Sequence, residues 1–354
     1  MNENLSATAS RPRISVVVLN YNGRPWLTRC FESLEQQTFA AETEFIVVDN
    51  QSPDGSAQMA AEWVGQGGRR KLIANLTNLF FCEANNVGAE AATGDYVFFL
   101  NNDLWLEPDC LEKLYRAASQ SEAECLAPVV FNYADNTFQG IGAEGMDWLG
   151  IPTQCPPPTT AVEMFSAYGC AFFIQREFFR KIGGFDPQFL MYADETDLSW
   201  RVWIAGGKIL AAPSARLHHR GAAAVNPQGG TQTIELRTSD TKRYLANRNE
   251  LCMLLKNSQH ILLLLLIPHL LLLTVEALVM LLLTRRWSHV RKAYLSAVWD
   301  VFKMRRHIFE WRRKIASFRR RGDFFMLRFL RLKPGRFDEI KKLIKFGVPK
   351  VDGK

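Results

Sequence analysis

The chain has 354 residues, of which 47% are hydrophobic and 22% are charged. This globular composition excludes an intrinsically disordered protein, and the length is enough for two folded units. Seven cysteines are scattered along the chain without a CxxC pair, which indicates reduced thiols and argues against a zinc site or a disulfide framework.

The net charge of +7 conceals two parts of opposite sign. Residues 1–284 carry a net charge of −9, whereas residues 285–354 carry +16. A basic tail that follows an apolar block indicates anionic lipid headgroups as its partner. Nucleic acid is the other common partner of such a tail. Because no nucleic-acid-binding motif accompanies the tail, we expect lipid and no nucleic acid.

Short apolar strands alternate with helices over the first third of the chain. The pattern predicts strands over residues 14–19, 45–48, 71–74 and 96–100, and helices over residues 25–37, 56–64, 83–93 and 108–118. Gly94 is predicted to close the third helix in a left-handed conformation. Such alternation with short connections is typical of a mostly parallel, doubly wound α/β sheet.

Polar side chains follow three of these strands, at the point where each strand ends. In open α/β sheets, ligands bind at the carboxyl ends of parallel strands. These side chains are therefore candidates for contact with a phosphate, a metal or a sugar, although Asn and Asp also favour ordinary turns. The residues concerned are Asn20 and Asn22 after the first strand, Asp49 after the second, and Asn101, Asn102 and Asp103 after the fourth.

An acidic cluster, Asp194, Glu195 and Asp197, precedes a helix predicted over residues 198–205. Negative charge is best tolerated at a helix N-terminus, so the cluster is compatible with simple N-capping by Asp194. The other interpretation is a carboxylate that acts as a general base near the sheet edge.

Two common nucleotide-binding motifs are missing from the sequence. No G-x-G-x-x-G follows the first two strands, which weakens a dinucleotide-binding dehydrogenase, and the lack of G-x-x-x-x-G-K-[ST] excludes a P-loop. A strand predicted over residues 208–212 leads into a loop with adjacent histidines, His218 and His219. Two neighbouring histidines alone do not define a metal site.

Several motifs follow one another in a fixed order along the chain. They are VVVLNYN (16–22), VVDNQS (47–52), NNVG (85–88) with GDY (94–96), LNND (100–103), GGFD (183–186), DETDLSWR (194–201) and RNEL (248–251). In this order they resemble the family-2 inverting glycosyltransferases with the GT-A fold. The resemblance covers about residues 13–255 and is strongest to rhamnosyltransferase-like bacterial enzymes that build O-antigen and other surface polysaccharides.

The resemblance implies a site for a nucleotide diphosphate sugar. The loop after the first strand, with Asn20 and Asn22, would line the nucleotide. Asp49 looks like the family's base-recognition carboxylate, which can accept the imide N–H of a uracil or thymine ring.

The resemblance also implies a divalent metal ion. Asn101, Asn102 and Asp103 occupy the place of the family's D-x-D motif, with an amide in place of the first carboxylate. Asp103 would remain a ligand of Mg²⁺ or Mn²⁺, which prefers oxygen donors and substrate phosphates. His219 stands where some family members supply an additional ligand.

The acidic cluster matches the family's E-D motif with the order reversed to Asp194-Glu195. By position, Glu195 would be the general base and Asp194 the alternative. The implied reaction is a single displacement with inversion, in which the base takes the proton of the acceptor hydroxyl.

The apolar run within residues 260–283 is long enough to span a bilayer, although Pro268, His269 and Glu276 interrupt it. The basic tail is expected to stay in the cytoplasm. The run would then form a re-entrant hairpin or a helix in the interface; a leucine-rich helix that covers the core or a partner is the alternative. The amphipathic helices of the tail are expected to lie on anionic membranes, with binding to a partner protein as the competing interpretation.

These expectations divide the chain into a disordered N-terminus (1–12), a GT-A domain (13–256), an apolar membrane-inserted segment (257–284) and a basic amphipathic helical tail (285–354). No signal peptide is recognisable, so the expected location is the cytoplasmic face of the bacterial inner membrane. The expected reaction transfers a sugar, with dTDP-rhamnose as a candidate donor, to a lipid-linked saccharide. A polyprenyl-phosphate sugar synthase and a non-catalytic nucleotide-sugar-binding scaffold remain the alternatives.

Overall fold

The computed structural model describes residues 12–221, 237–332 and 350–352. The predicted disorder of residues 1–12 falls, apart from residue 12, outside this part of the chain, as do residues 333–349 and 353–354 of the basic tail. The strands are β1 (Ile14–Asn20), β2 (Thr43–Asp49), β3 (Arg70–Ala74), β4 (Tyr96–Asn101), β5 (Leu104–Leu106), β6 (Cys125–Asn132), β7 (Phe138–Gly140), β8 (Gly142–Asp147), β9 (Pro152–Gln154), β10 (Ser166–Ala167), β11 (Ala171–Gln175), β12 (Ile209–His219), β13 (Arg237–Ser239), β14 (Leu330–Arg331) and β15 (Lys350–Asp352).

Helices cover both faces of the sheet and make up most of the C-terminal part. The α-helices are α1 (Leu27–Glu35), α2 (Ser56–Gly65), α3 (Phe80–Ala91), α4 (Cys110–Gln120), α5 (Arg176–Lys181), α6 (Asp194–Ile204), α7 (Asp240–Asn257), α8 (Leu266–Thr284), α9 (Trp287–Val290), α10 (Ser296–Lys303), α11 (Arg305–Phe318) and α12 (Asp323–Met326). Short 3-10 helices occupy Ala40–Glu42, Pro187–Phe189, Ile261–Leu265 and Leu327–Phe329, and a π-helical turn occupies Arg291–Leu295.

The central sheet has nine strands in the order β3-β2-β1-β4-β11-β6-β12-β5, with β7 paired to β6. Neighbouring strands from β3 to β4 are parallel, and β6 and β12 run in the same direction as these four, whereas β5, β7 and β11 run the opposite way. The prediction of a mostly parallel α/β sheet is confirmed. Two small sheets, β10-β8-β14 with β9 and the pair β13-β15, complete the strand pairings of the described residues.

Two apolar cores lie on the two faces of the central sheet. Helices α1, α2 and α4 cover one face with residues such as Phe31 and Trp63, whose rings stack 4.2 Å apart. Helices α3, α5 and α6 cover the other face, and that core continues into the C-terminal helices. Strand β4 is buried between the two, as its continuous apolar run predicts.

Gly94 has a different role from the predicted one. Helix α3 ends at Ala91, and Gly94 is not among the residues with a positive φ. A Cβ at this position would lie 2.7 Å from the backbone N of Ser15 and 2.8 Å from the carbonyl C of Ile14. The glycine therefore permits close approach of two backbones before β4 begins, rather than a left-handed helix cap.

Strand β12 is longer than the predicted strand over residues 208–212. It continues past Pro213 through an irregularity between Ala212 and Arg216 and ends at His219. The prediction that the two histidines lie in a loop is therefore wrong. The bulge accommodates proline in the strand, and the pairings with β6 and β5 carry the strand to its polar end.

The C-terminal helices pack onto the GT-A-like core instead of forming a separate tail. Ile308, Trp311 and Ile315, one apolar face of α11, are buried against that core. The prediction that this face lies on a membrane is therefore wrong, because the protein itself covers it. Leu262–Thr284 is the segment of the described residues that is long and apolar enough to cross a membrane, by length and composition.

Candidate functional site

The carboxyl ends of β1, β2 and β4 meet at one edge of the sheet. In the parallel register, Asn20 lies opposite Asp49, and Leu19 lies opposite Asn101. The Asn20 side-chain amide donates to Asp49 Oδ1 over 2.7 Å, and its oxygen accepts from Asn102 Nδ2 over 2.8 Å. Three of the predicted residues thus form one hydrogen-bonded chain across the strand ends.

Asp49 is held firmly within this chain. Its Oδ2 accepts the backbone N–H of Ser52 over 3.1 Å, so both carboxylate oxygens have partners inside the protein. Only 2% of Asp49 is exposed. The carboxylate therefore organises the loop after β2, and its contact with a nucleotide base stays a prediction.

The loop after β1 contains a glycine that the sequence pattern did not single out. A Cβ on Gly23 would lie 2.2 Å from Asn20 Oδ1 and 2.4 Å from Asn102 Nδ2. The neighbouring Asn22 is exposed, adopts a positive φ of 55° and donates its backbone N–H to Ser52 Oγ over 3.2 Å. A side chain at position 23 would separate the two asparagines, which explains the small residue there.

Asp103 and His219 form a pair beside this chain. His219 is the last residue of β12 and lies opposite Leu104 of β5, so the strand pairing brings it to Asp103. His219 Nε2 lies 3.3 Å from Asp103 Oδ1, and the other ring nitrogen lies 2.8 Å from Gln139 Oε1. The two predicted metal-binding residues are therefore brought together.

The two side chains have a strong mutual electrostatic effect. Burial disfavours a charged imidazole, but Cys170 and Asp103 outweigh burial and raise the pKa of His219 to about 10. Burial likewise opposes ionisation of Asp103, but the hydrogen bond and charge of His219 hold the pKa of its carboxyl below the usual range. A carboxylate that stays ionised at neutral pH can serve as a ligand of a cation.

The pair fits a hard divalent ion only in combination with a substrate. Within the described ranges, no group of three or more His, Cys, Asp and Glu side chains could hold a metal ion. Mg²⁺ commonly takes one or two protein ligands and completes its shell with water and substrate phosphates. The Asp103 carboxylate can supply one ligand to such an open site, whereas the His219 imidazole would have to lose its proton before a ring nitrogen could bind the ion.

Glu195 lies in the first turn of α6 and packs against the segment 168–170. A Cβ on Gly169 would come 3.3 Å from the Glu195 Cβ. The same segment places the Tyr168 ring edge-on to His219, with ring centroids 6.4 Å apart. One short segment thus contacts both the predicted base and the predicted metal ligand.

The environment of Glu195 is that expected of a proton acceptor. The side chain is partly exposed, and burial together with the charge of Glu250 raises the pKa of its carboxyl. Asp194 is buried, and burial together with Glu195 raises the pKa of its carboxyl well above the usual value. Because an acceptor must reach the base, the partly exposed Glu195 is a better candidate than the buried Asp194.

The alternative explanation of the acidic cluster as an N-cap does not hold. Ala193 occupies the cap position and no side chain accepts the cap hydrogen bond, so Asp194 is already helical. Asp197 points inward, where Arg201 Nη2 lies 2.9 Å from its Oδ2. The three carboxylates therefore differ in role: one partly exposed, one buried near it and one in an internal ion pair.

A strained loop leads into α6. Leu190, Tyr192 and Ala193 have φ values of 63°, 71° and 58°, a left-handed region that side chains other than glycine rarely adopt. Such strain costs about 1–3 kcal/mol per residue and persists only where surrounding contacts enforce it. It is concentrated immediately before the predicted general base.

Asn249 of α7 supplies those contacts. Its Nδ2 lies 2.8, 2.9 and 2.9 Å from the carbonyl oxygens of Phe189, Met191 and Tyr192. The side chain is fully buried, and its oxygen accepts from Arg248 Nε over 3.0 Å. The only signal for this role in the sequence was the RNEL motif within the family resemblance.

We expect Asn249→Ala to lower kcat by about 100-fold with little change in donor affinity, because misplacement by about 1 Å has effects of that size. Steady-state kinetics and donor titration would measure both quantities. The matched control is Asn247→Ala, which removes another buried amide of α7, bonded to Ala293 O over 2.9 Å. Equal losses of kcat in both variants would contradict a positioning role for Asn249.

The architecture is similar to that of solved structures. It superposes on a solved structure of Staphylococcus aureus TarS 1-349 in complex with UDP-GlcNAc, with a TM-score of 0.57 and 17% identity over 86% of this chain and 89% of that one. GalNAc-T7 with UDP, GalNAc and Mn²⁺ gives a TM-score of 0.56 and 20% identity over 72% and 48% of the two chains. The fold is the GT-A fold of glycosyltransferases.

The sequence comparison finds a family match over part of the chain. Residues 15–183 match the family described as "Glycosyl transferase family 2". Glycosyltransferase GlyA of Streptococcus pneumoniae is 31% identical over 139 residues, which are 39% of this chain and 19% of GlyA. The matches span between 19% and 34% of the length of the first three curated relatives.

Proposed function

We propose that the protein transfers a sugar from a nucleotide diphosphate sugar to an acceptor hydroxyl, with inversion at the anomeric carbon. One observation carries the proposal. The ends of β1, β2 and β4 bring the chain of Asn20, Asp49 and Asn102 beside the pair of Asp103 and His219, and segment 168–170 joins that pair to Glu195.

The donor would bind across the three strand ends. Asn22 and Asn101 flank the chain of Asn20, Asp49 and Asn102, so their amides can line the ribose and diphosphate. Asp49 would offer its carboxylate to the imide N–H of a pyrimidine base. The solved TarS and GalNAc-T7 structures, with UDP-GlcNAc and with UDP, support this class of donor.

A divalent ion, Mg²⁺ or Mn²⁺, is the proposed cofactor. Asp103 would hold it together with oxygens of the donor diphosphate, and His219 would join only on losing its ring proton. When bound, such an ion neutralises negative charge on the departing diphosphate. The presence of Mn²⁺ in the GalNAc-T7 structure supports the choice.

Glu195 would act as the general base. Its carboxylate takes the proton of the acceptor hydroxyl while that oxygen bonds to the anomeric carbon. The bond between the anomeric carbon and the diphosphate oxygen breaks on the opposite face of the sugar, so the configuration inverts. The strained loop fixed by Asn249 sets the position of Glu195 for this step.

A lipid-linked saccharide is the proposed acceptor, and a rhamnosyl group from dTDP-rhamnose, or another hexosyl group, is the proposed sugar. The protein would then act at the cytoplasmic face of the bacterial inner membrane, in the synthesis of O-antigen or another surface polysaccharide. The apolar stretch Leu262–Thr284 and the basic charge after it support a place beside lipid.

A non-catalytic nucleotide-sugar-binding scaffold is the second candidate. Asn101 favours it, because an amide stands where the related D-x-D motif has its first carboxylate. With one charge less, the site would hold a cation more weakly. A polyprenyl-phosphate sugar synthase of the same fold would differ in its acceptor alone.

The test measures release of nucleoside diphosphate from a panel of UDP-, dTDP- and GDP-sugars, with Mn²⁺ and with lipid-linked saccharide or polyprenyl phosphate as acceptor. We expect acceptor-dependent release that EDTA abolishes. Asp103→Ala should reduce it by about 10²–10³-fold, the size of a lost charge-stabilising contact. The matched control is Asp109→Asn, which alters a partly exposed ion pair with Lys113. It should leave the release of nucleoside diphosphate unchanged. Binding of a donor without release would favour the scaffold.

A further inference from the structure

Helix α8 has one face on the protein and one face in solvent. His269, Leu273 and Ala277, spaced four residues apart, are buried against the core, and His269 Nδ1 lies 2.7 Å from Leu149 O. The outer face is exposed, with Leu271 at 64% and Leu282 at 77%, and it is apolar apart from Thr274, whose hydroxyl donates to Leu270 O over 2.8 Å. A helix of this length with such a face needs an apolar partner.

The chain is fixed to the core on both sides of α8. Before the helix, the Asp323 carboxylate accepts the backbone N–H of His260 over 2.7 Å and that of Leu262 over 3.0 Å. After the helix, His289 Nδ1 lies 2.7 Å from Asp240 Oδ1, at the start of α7. A single span across a bilayer would require one of these ends to leave the core.

Helix α10 extends the apolar surface. Between α8 and α10 lies an open groove of about 660 Å³ that is lined almost entirely by apolar side chains, including Leu270, Leu278, Trp299 and Phe302. Trp287 lies at the groove as well and is 56% exposed. Exposed tryptophans beside an aliphatic surface are typical of the boundary between lipid and water.

The charge around this surface selects among apolar partners. Exposed basic side chains continue from the end of α8 to the start of α11, namely Arg285, Arg291, Lys292, Lys303, Arg305 and Arg306. Asp300 is an acidic residue of α10. Its carboxylate accepts a hydrogen bond from the Tyr244 hydroxyl over 2.7 Å and forms an ion pair with Lys303 at 3.0 Å. Apolar side chains bordered by cations fit a bilayer with anionic headgroups.

We infer that α8 and α10 lie in the plane of an anionic membrane interface, with both ends of α8 on the side of the catalytic unit. The groove between them receives lipid chains. The inference deepens the proposed function, because it places the acceptor's lipid next to the domain that would glycosylate it. Its test needs neither donor nor acceptor, so its failure is distinct from failure of glycosyl transfer.

The first experiment measures flotation of the full chain with vesicles of phosphatidylglycerol and phosphatidylcholine in equal parts. We expect binding that weakens with salt and is lower on phosphatidylcholine alone. The double variant Leu271→Glu, Leu282→Glu should lose more than about 100-fold in affinity, because two leucines no longer enter lipid. Leu76→Glu, at an 89% exposed leucine of the loop after β3, is the matched control and should bind normally.

A second experiment distinguishes an in-plane helix from a span. All seven native cysteines are buried, so an introduced cysteine gives the labelling signal. Ser119→Cys on α4 and Ser317→Cys on α11 would be treated with a membrane-impermeant maleimide in inverted bacterial membrane vesicles. We expect equal labelling of both, because the two exposed serines lie on the same side of the bilayer.

Three results would overturn the inference. Protection of Ser317→Cys alone until detergent is added would establish a span. Vesicle binding that the double leucine variant does not weaken would assign the interaction to another surface. Lipid-independent dimers that the same variant dissociates, without vesicle binding, would assign the apolar face to a second copy of the chain.

Discussion

Glu195→Gln is expected to reduce turnover by at least about 10³-fold while donor affinity stays nearly unchanged. General-base catalysis contributes about 10²–10⁴-fold, and glutamine keeps the size of the side chain without a proton-accepting carboxylate. Single-turnover sugar transfer would measure the chemical step, and calorimetry with the nucleotide sugar would measure binding. An active Glu195→Gln enzyme would exclude Glu195 as the base.

The control for this prediction is Glu177→Gln, which alters an exposed glutamate on α5 that pairs with Arg180. It should retain full turnover. The pH profile adds an independent readout, because burial and Glu250 raise the pKa of Glu195. A base works only when deprotonated, so activity should rise with pH and its acidic limb should lie above the range of an ordinary glutamate. An acidic limb at or below that range would contradict the assignment.

Lys256→Met is expected to destabilise the folded protein by about 3–5 kcal/mol, the cost of removing one partner from a buried ionic group. Lys256 is fully buried on α7, where its ammonium donates to Asp186 and lies 3.2 Å from Asp197 Oδ2. Methionine fills a similar volume but carries no charge. Asp197 then keeps Arg201 as its cationic partner, and Asp186 keeps only the His307 imidazole.

Urea unfolding at neutral pH, followed by fluorescence, would measure the change in free energy of unfolding. The control is Lys208→Met, whose partner Glu122 is highly exposed; such pairs contribute about 0–1 kcal/mol. Burial favours a neutral Asp186, but Lys256 and His307 hold the pKa of its carboxyl well below the usual range. The stability it contributes is therefore present above the ordinary aspartate pKa and is lost as the pH falls below it. Equal costs for the two lysines would refute this account of the cluster.

Local patterns predicted the strands and their polar ends well. The apolar run before Asn101 is buried on both faces, and the residues that follow β1, β2 and β4 do meet. The first result follows from hydrophobic periodicity. The second follows because the carboxyl ends of parallel strands lie at one edge of a sheet. Neither prediction required knowledge of contacts between residues distant in the sequence. The role of Gly94 was mispredicted because the approach of the Ile14–Ser15 backbone arises only in the folded sheet.

The different environments of the three carboxylates in the acidic cluster could not be predicted from the sequence. Asp194, Glu195 and Asp197 share one turn, yet Asp197 turns inward because Lys256 and Asn257, about sixty residues later, supply buried partners. Similarly, the periodicity of α11 correctly indicated an apolar face. It did not indicate that the protein's own core covers that face, since amphipathicity specifies a surface but not its partner.

The closed hydrogen-bond chain at the strand ends has a consequence for donor choice. Asn20 and Ser52 each donate one bond to Asp49, and only 2% of the residue is exposed, so an incoming base has little access to the lone pairs that remain. A base without an N–H group to donate leaves the Asp49 carboxylate bonded to Asn20 and Ser52. No buried polar group then loses its partner. Discrimination among nucleobases should accordingly be shallow, with sugar and phosphate features setting the preference, and several pyrimidine nucleotides should compete at comparable concentrations.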